Sequence, residues 1–276
     1  MINDAHQHFW HYDPAKHIWM SEAMGILKTD FLPLDLAPLL KNCGLKGCVA
    51  VQANQAEEEN AFLLQLAEKH DFIKGIVGWV DLQSEQVEAR LAHYQQFKVM
   101  KGFRHVLHDE EDIDFMLRPA FLKGISLLKK YGYTYDILIF PKHLPNTLEL
   151  VAAFADQPFV IDHIAKPSIK TGENTEGWRT ALEAVAQYEN VFCKISGMVT
   201  EADCHHWKPT DFTPYLDTVV NLFGIDRIMY GSDWPVCTLA ATYEAQFGIV
   251  KDYFSSFSES EQQKFFGGNA SKFYNL

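Results

Sequence analysis

Eight short runs of β-forming residues, separated by helical patterns, constrain this 276-residue chain more than any other feature. The runs are Ile2–Phe9, Leu45–Ala53, Ile73–Leu82, Val99–Leu107, Thr134–Phe140, Phe159–Lys166, Val191–Thr200 and Arg227–Val236. Several are almost continuously apolar, as in Gly47-Cys48-Val49-Ala50-Val51 and Tyr135-Asp136-Ile137-Leu138-Ile139-Phe140. A strand with one solvated face alternates apolar and polar residues; a strand buried on both faces does not, and this is the mark of a parallel sheet covered by helices. Eight such strands with intervening helices predict an α/β protein, a single-domain (β/α)8 barrel. The competing doubly wound sheet would carry a GxGxxG turn after its first strand, and none is present.

Amphipathic patterns occupy the intervals, at Glu57–His70, Glu85–Phe97 with Ser84 as N-cap, His143–Asp156, Gly177–Tyr188, Phe212–Phe223 and Tyr243–Phe254. Glu57, Glu58 and Glu59 stand on a first helical turn, where the helix dipole favours acids. Ser258–Tyr274 is interrupted by Gly267-Gly268 and reads as two short helical pieces. Phe9–Leu45 is too long for a simple strand-to-helix connection, and its aromatics (Trp10, Tyr12, Trp19, Phe31) predict an ordered lid.

The formal charge is 24 − 36 = −12, which argues against nucleic acid as a partner, since phosphates call for a basic face. No apolar stretch reaches membrane-spanning length, and the first residues lack the basic and apolar regions of a signal peptide, so the expectation is a cytoplasmic protein. The five cysteines, Cys43, Cys48, Cys193, Cys204 and Cys237, include no CxxC pair. They read as reduced thiols, with a Cys43–Cys48 bridge as the alternative.

Barrel enzymes act at the carboxyl ends of their strands. Polar residues gather there in this sequence: His6 and His8 on the first strand, Arg104-His105 on the fourth, Asp136 in the fifth, Asp162-His163 and Lys166 on the sixth, Lys194, Ser196 and Glu201 from the seventh, and Asp233 on the eighth. His6 and His8 are two apart and so point the same way from a strand, suited to a metal or an oxygen-rich substrate. Asp233, in Tyr230-Gly231-Ser232-Asp233-Trp234-Pro235, is a candidate general base for a water, or else a structural acid capping the next helix. Arg104 offers a fixed cationic fork for an oxyanion, or a salt bridge to Asp136 on the neighbouring strand. His205-His206 and the acidic run Asp109–Asp112 read as solvated surface.

These motifs, with Gly102-Phe103-Arg104-His105, Ile161-Asp162-His163-Ile164-Ala165-Lys166-Pro167, Lys194-Ile195-Ser196-Gly197 and the closing Gly268-Asn269-Ala270-x-x-Phe273-Tyr274, resemble the amidohydrolase superfamily over the whole of residues 1–276. The branch is the one often labelled amidohydrolase-2, which includes sugar lactonases, and the resemblance is greatest to the L-fucono- and L-rhamnono-lactonase type. It implies hydrolysis of a sugar lactone to its aldonic acid. Asp233 would activate water, His6, His8 and His163 would surround the carbonyl, and Arg104 would steady the oxyanion while a protonated histidine assists the leaving ring oxygen. Asp136, Lys166, Glu201 and Trp10 are the candidate substrate-binding residues. The middle strands lack the histidine or modified lysine that metal-dependent members supply, so the reading is a lactonase with no required metal. The alternative is zinc or another divalent ion on His6, His8, Asp233 and Glu201. Two other functional classes compete: a zinc-dependent decarboxylase or amide hydrolase, and a non-catalytic sugar-acid binder.

Overall fold

The continuous apolar runs are buried on two sides, as their composition requires. In β2 (Gly47–Val51), Cys48 and Ala50 face the helices, while Val49 and Val51 join Ala5, Val77, Val160 and Met229 inside a cylinder. The computed structural model describes residues 2–276. Its other strands are β1 (Asn3–Gln7), β3 (Ile73–Gly78), β4 (Met100–Val106), β5 (Thr134–Leu138), β6 (Phe159–Ile161), β7 (Val191–Ile195) and β8 (Ile228–Tyr230). They pair in parallel in the order of the sequence. The ring closes at its rim, where the Asp233 N–H donates to the His6 carbonyl (2.8 Å) and the His8 N–H to the Trp234 carbonyl (2.7 Å). Sequential order and closure make this a (β/α)8 barrel and exclude the doubly wound sheet.

The helices are α1 (Pro33–Asn42), α2 (Glu57–Lys69), α3 (Val87–Tyr94), α4 (Pro119–Leu128), α5 (Leu144–Ala153), α6 (Thr175–Ala186), the single turn α7 (Met198–Glu201), α8 (Pro209–Phe223), α9 (Tyr243–Tyr253), α10 (Glu259–Gln263) and α11 (Asn269–Tyr274). None is long and apolar enough to cross a membrane. Ser84 does not cap α3; its hydroxyl accepts the Gln86 N–H within the preceding turn, and the helix starts at Val87. Besides the single turn α7, two helices go beyond the sequence reading, α1 inside the predicted lid and α4 after β4. Both start on a proline, whose fixed φ suits a first helical position. A π-turn over Lys264–Gly268 separates α10 from α11. From α11, Ala270, Phe273 and Tyr274 plug the barrel interior from its amino-terminal end.

The lid is a strap across the carboxyl-terminal rim. Trp10 and Phe31 form an antiparallel bridge, Trp10, Met20 and Leu27 make a small apolar core, and Phe31 packs edge-on against Trp234 at 5.4 Å. All five cysteines are free thiols, with Cys48 buried and accepting a hydrogen bond from Gln7, so no Cys43–Cys48 bridge forms.

Candidate active site

At the carboxyl ends of β6, β7 and β8 the chain leaves the ladder earlier than the sequence runs suggest, because these residues turn inward to build the site. After β6, His163, Ile164, Ala165 and Lys166 all have positive φ, from 49° to 61°. This is one turn of left-handed backbone, held where the Trp178 indole of α6 donates to the Ile164 carbonyl at 2.8 Å. After β7, Gly197 (φ +62°) brings backbone against His163, and a Cβ there would lie 2.6 Å from its Nδ1. After β8, Gly231 lets His6 approach; a Cβ would sit 2.6 Å from the His6 Cβ. Asp233 itself takes φ +57°.

The result is a buried cluster in which His6 is fully buried and His8, Arg104, His163 and Asp233 are each 4–5% exposed. One carboxylate oxygen, Asp233 Oδ1, lies 3.4 Å from His8 Nε2, 3.8 Å from His163 Nε2 and 3.9 Å from His6 Nε2. Burial opposes the charge on Asp233, but His163 and the other imidazoles outweigh it and hold the carboxyl well below its usual range. Burial pushes His163 down to about 4, so it is neutral at working pH, with Ser196 Oγ 2.8 Å from Nδ1. As a neutral group, His163 is not the protonated histidine expected as acid for the ring oxygen. His8 presents its Nδ1 to the Val51 carbonyl at 2.8 Å, which fixes the N–H there and leaves the Nε2 lone pair facing Asp233.

Beneath this cluster lies a buried ion network. Lys194, fully buried, binds Asp136 at 2.5 Å and Asp162 at 3.0 Å, with its Nζ 3.1 Å from His6 Nδ1. Arg104 Nη1 donates to Asp162 at 3.0 Å and approaches His6 Nε2 at 3.2 Å, while Nη2 donates to the Gln52 carbonyl at 2.5 Å. The Tyr274 hydroxyl donates to Asp136 at 2.7 Å from below. Two carboxylates meet one lysine and one arginine, whose formal charges balance without His6, and burial keeps that imidazole uncharged. Asp162 is held well below the usual carboxylate range because Lys194, His6 and Arg104 outweigh its burial, whereas burial lifts Asp136 to about 6 against the pull of Lys194. Asp4, at the β1–β8 seam, accepts N–H groups from His6 (3.1 Å) and Ser232 (2.9 Å) and the Tyr243 hydroxyl (2.9 Å).

Several expected roles change. Arg104 pairs with Asp162 and not with Asp136; its Nη1 lies between Asp162 and His6, while its Nε has no hydrogen-bond partner among the described residues. Asp136 is sealed in the barrel and cannot bind substrate. Trp10 is buried in the strap, its indole donating to the Thr29 carbonyl at 2.9 Å, so it shapes the cover and offers no open face. Glu201 pairs with Lys166 and lies outside the His6–His8–Asp233 group. The acidic run after β4 is not wholly solvated, since Glu110 takes His105 Nε2 at 2.6 Å. His206 is exposed beside Asp203, as read.

Glu59 was read only as a first-turn acid. It turns back to accept the N–H groups of Ala53 (2.5 Å) and Asn54 (2.8 Å), and Asn54 reaches His17 of the strap at 3.2 Å. Burial raises its pKa from 4.5 to about 7. The charged form is disfavoured only in the folded chain, so this stabilisation is full below pH 4.5 and is lost as pH rises towards 7. Glu59→Gln should therefore remove about 3 kcal/mol of pH-dependent stability across that window, measured as the difference between wild-type and variant urea melts at its two ends.

The amidohydrolase family profile matches residues 3–276. The chain belongs to this family. It is 38% identical to the L-fucono-1,5-lactonase of Burkholderia multivorans, over 99% of this chain and 95% of that protein. It is 35% identical to the L-fucono-1,5-lactonase of Burkholderia ambifaria, over 99% and 95%. A solved amidohydrolase structure from Burkholderia multivorans superposes with a TM-score of 0.96 at 38% identity, covering 100% of this chain and 99% of that one, and it holds zinc.

That zinc overturns the reading in which no metal is required, and the donor set here fits one. His6, His8 and Asp233 each offer a ligand atom, all within 4.8 Å of one another, with the His8 lone pair already oriented. Two histidines and a carboxylate with a further position open is a catalytic zinc pattern. A zinc on His6 Nε2 would replace the Arg104 contact to that nitrogen. His8→Ala should weaken zinc binding by more than the ~10–100-fold typical of losing an outer-shell partner, measured by titration with a competing chelator and by metal analysis.

Proposed function

We propose that this amidohydrolase opens a sugar lactone to the aldonic acid. The carrying observation is Asp233, one carboxylate oxygen ringed by three imidazoles in a buried cluster, in a chain with the lactonase relatives given above. A bound zinc would supply a water acidified towards neutrality and polarise the carbonyl.

The chain's own groups divide the remaining work. Asp233, ionised at any working pH, accepts a proton from water as the water oxygen bonds to the lactone carbonyl carbon. Neutral His163, in the tautomer whose Nδ1 accepts from Ser196 Oγ, has an Nε2–H to offer the tetrahedral oxyanion. As the carbonyl re-forms and the ring C–O bond breaks, the proton on Asp233 passes to the departing ring oxygen, a far stronger base than this carboxylate. His6 is held from its Nδ1 side, which lies 3.3 Å from Asp162 Oδ1 and 3.1 Å from Lys194 Nζ. The partly exposed Lys166–Glu201 pair follows the His163 turn and suits the hydroxyls of a sugar ring.

A pH-indicator assay over aldono-1,4- and 1,5-lactones tests the proposal, with L-fucono-1,5-lactone expected among the substrates. Binding of the lactones without acid release would leave a sugar-acid binder. CO2 release from aromatic acids with no lactone opening would favour the decarboxylase alternative.

A further inference from the structure

The turn after β4 carries a histidine that the mechanism does not use. His108 lies flat on the Phe140 ring, with centroids 4.8 Å apart and planes at 22°. Lys166 Nζ, paired with Glu201, stands 5.9 Å from the same ring, and the charges of Lys166, Arg104 and His163 all act on His108. Its Nε2 is 3.2 Å from Asp109 Oδ1, a carboxylate that favours the N–H at Nε2 and so the lone pair at Nδ1. Nδ1 is buried and has no hydrogen-bond partner among the described residues. Burial, then the charges of Lys166, Arg104 and His163, push the imidazole down to about 3, so it is neutral. A buried acceptor without a donor is destabilising, and a donor supplied by a ligand relieves it.

We propose that His108 is a specificity-determining residue, whose Nδ1 accepts a hydrogen bond from a ring hydroxyl of the substrate while Phe140 fixes the imidazole plane. The donor has to be an O–H, since a ring ether or a carbonyl would set two acceptors face to face. This inference rests on the lactonase reading and deepens it: the substrate class becomes a polyhydroxylated lactone, distinguished from a bare cyclic ester at this residue.

The test compares kcat/KM for L-fucono-1,5-lactone with kcat/KM for δ-valerolactone, a six-membered lactone without hydroxyls. His108→Phe retains an aromatic ring over Phe140 and removes the acceptor. Its ratio of the two constants should fall roughly tenfold below that of the wild type, about the effect of one hydrogen bond. An unchanged ratio, whether both constants fall together or neither moves, overturns the proposal, because loss of structure alone does not discriminate between the lactones. Should H108F not fold, the wild-type protein crystallised with the lactam of the same sugar decides. A ring hydroxyl in hydrogen-bond contact with Nδ1 supports the proposal, and a water or no contact there overturns it. Wild-type protein that opens none of the lactones overturns both readings, whereas wild-type turnover with an unchanged H108F ratio overturns only the role of His108.

Discussion

Asp233→Asn is expected to lower kcat for lactone opening by about a thousandfold, the scale set by loss of a general base, with little change in KM. The substitution keeps the backbone N–H that bonds the His6 carbonyl, so ring closure survives. What it removes is the anion that three histidines surround, and with it both the acceptor for the water proton and a carboxylate of the metal-ligating group. Initial rates on the lactone panel, alongside near-UV circular dichroism to confirm native packing, make the comparison. A well-folded D233N protein with more than a tenth of wild-type turnover would remove Asp233 from the chemistry.

The second large effect falls on stability. Lys194→Met leaves Asp136 and Asp162 facing each other in the barrel with Arg104, the His6 imidazole and the Tyr274 hydroxyl for compensation. Breaking a buried pair by removing one partner costs about 3–5 kcal/mol, which for a domain of this size lowers Tm by roughly 10 °C. Adding Asp136→Asn to K194M removes one uncompensated charge and should recover part of the loss. A K194M melting curve within about 2 °C of wild type, less than ~1 kcal/mol, would show that the network does not need its lysine.

Much of this architecture is legible in the residue pattern, for a definite reason. A strand buried on two faces must be apolar throughout, so all eight strands are visible, and the polar residues that interrupt them mark the rim. His6, His8, His163 and Asp233 were readable because a histidine or carboxylate at a strand end has few structural duties. The interior network was not. Lys194, Asp136 and Asp162 come from different strands, and a one-dimensional pattern cannot show that a lysine on β7 neutralises an aspartate on β5. Arg104 was accordingly paired with the wrong acid, since register neighbours on β4 and β5 need not be charge partners when a third strand supplies a competitor. The strand ends at β6 and β8 were read too long because sequence propensity does not reveal positive φ at His163, Ile164, Ala165, Lys166 and Asp233. Trp10 looked like a sugar platform because aromatic content marks order without saying which face is free. Glu59 and His108 carried no periodic signal; their roles come from backbone N–H groups, or a single neighbouring ring, that only three dimensions bring near.

The bonds that zip the ring shut between β8 and β1 run through the Asp233 amide and the His6 carbonyl, the same two residues that the proposed chemistry needs side by side. Breathing of that seam is therefore also a misalignment of base and imidazole, and a half-wound cylinder has no partial competence to fall back on. Turnover in this protein is thus a built-in reporter of circumferential closure, and mutational tolerance at the seam is set by geometry and catalysis together.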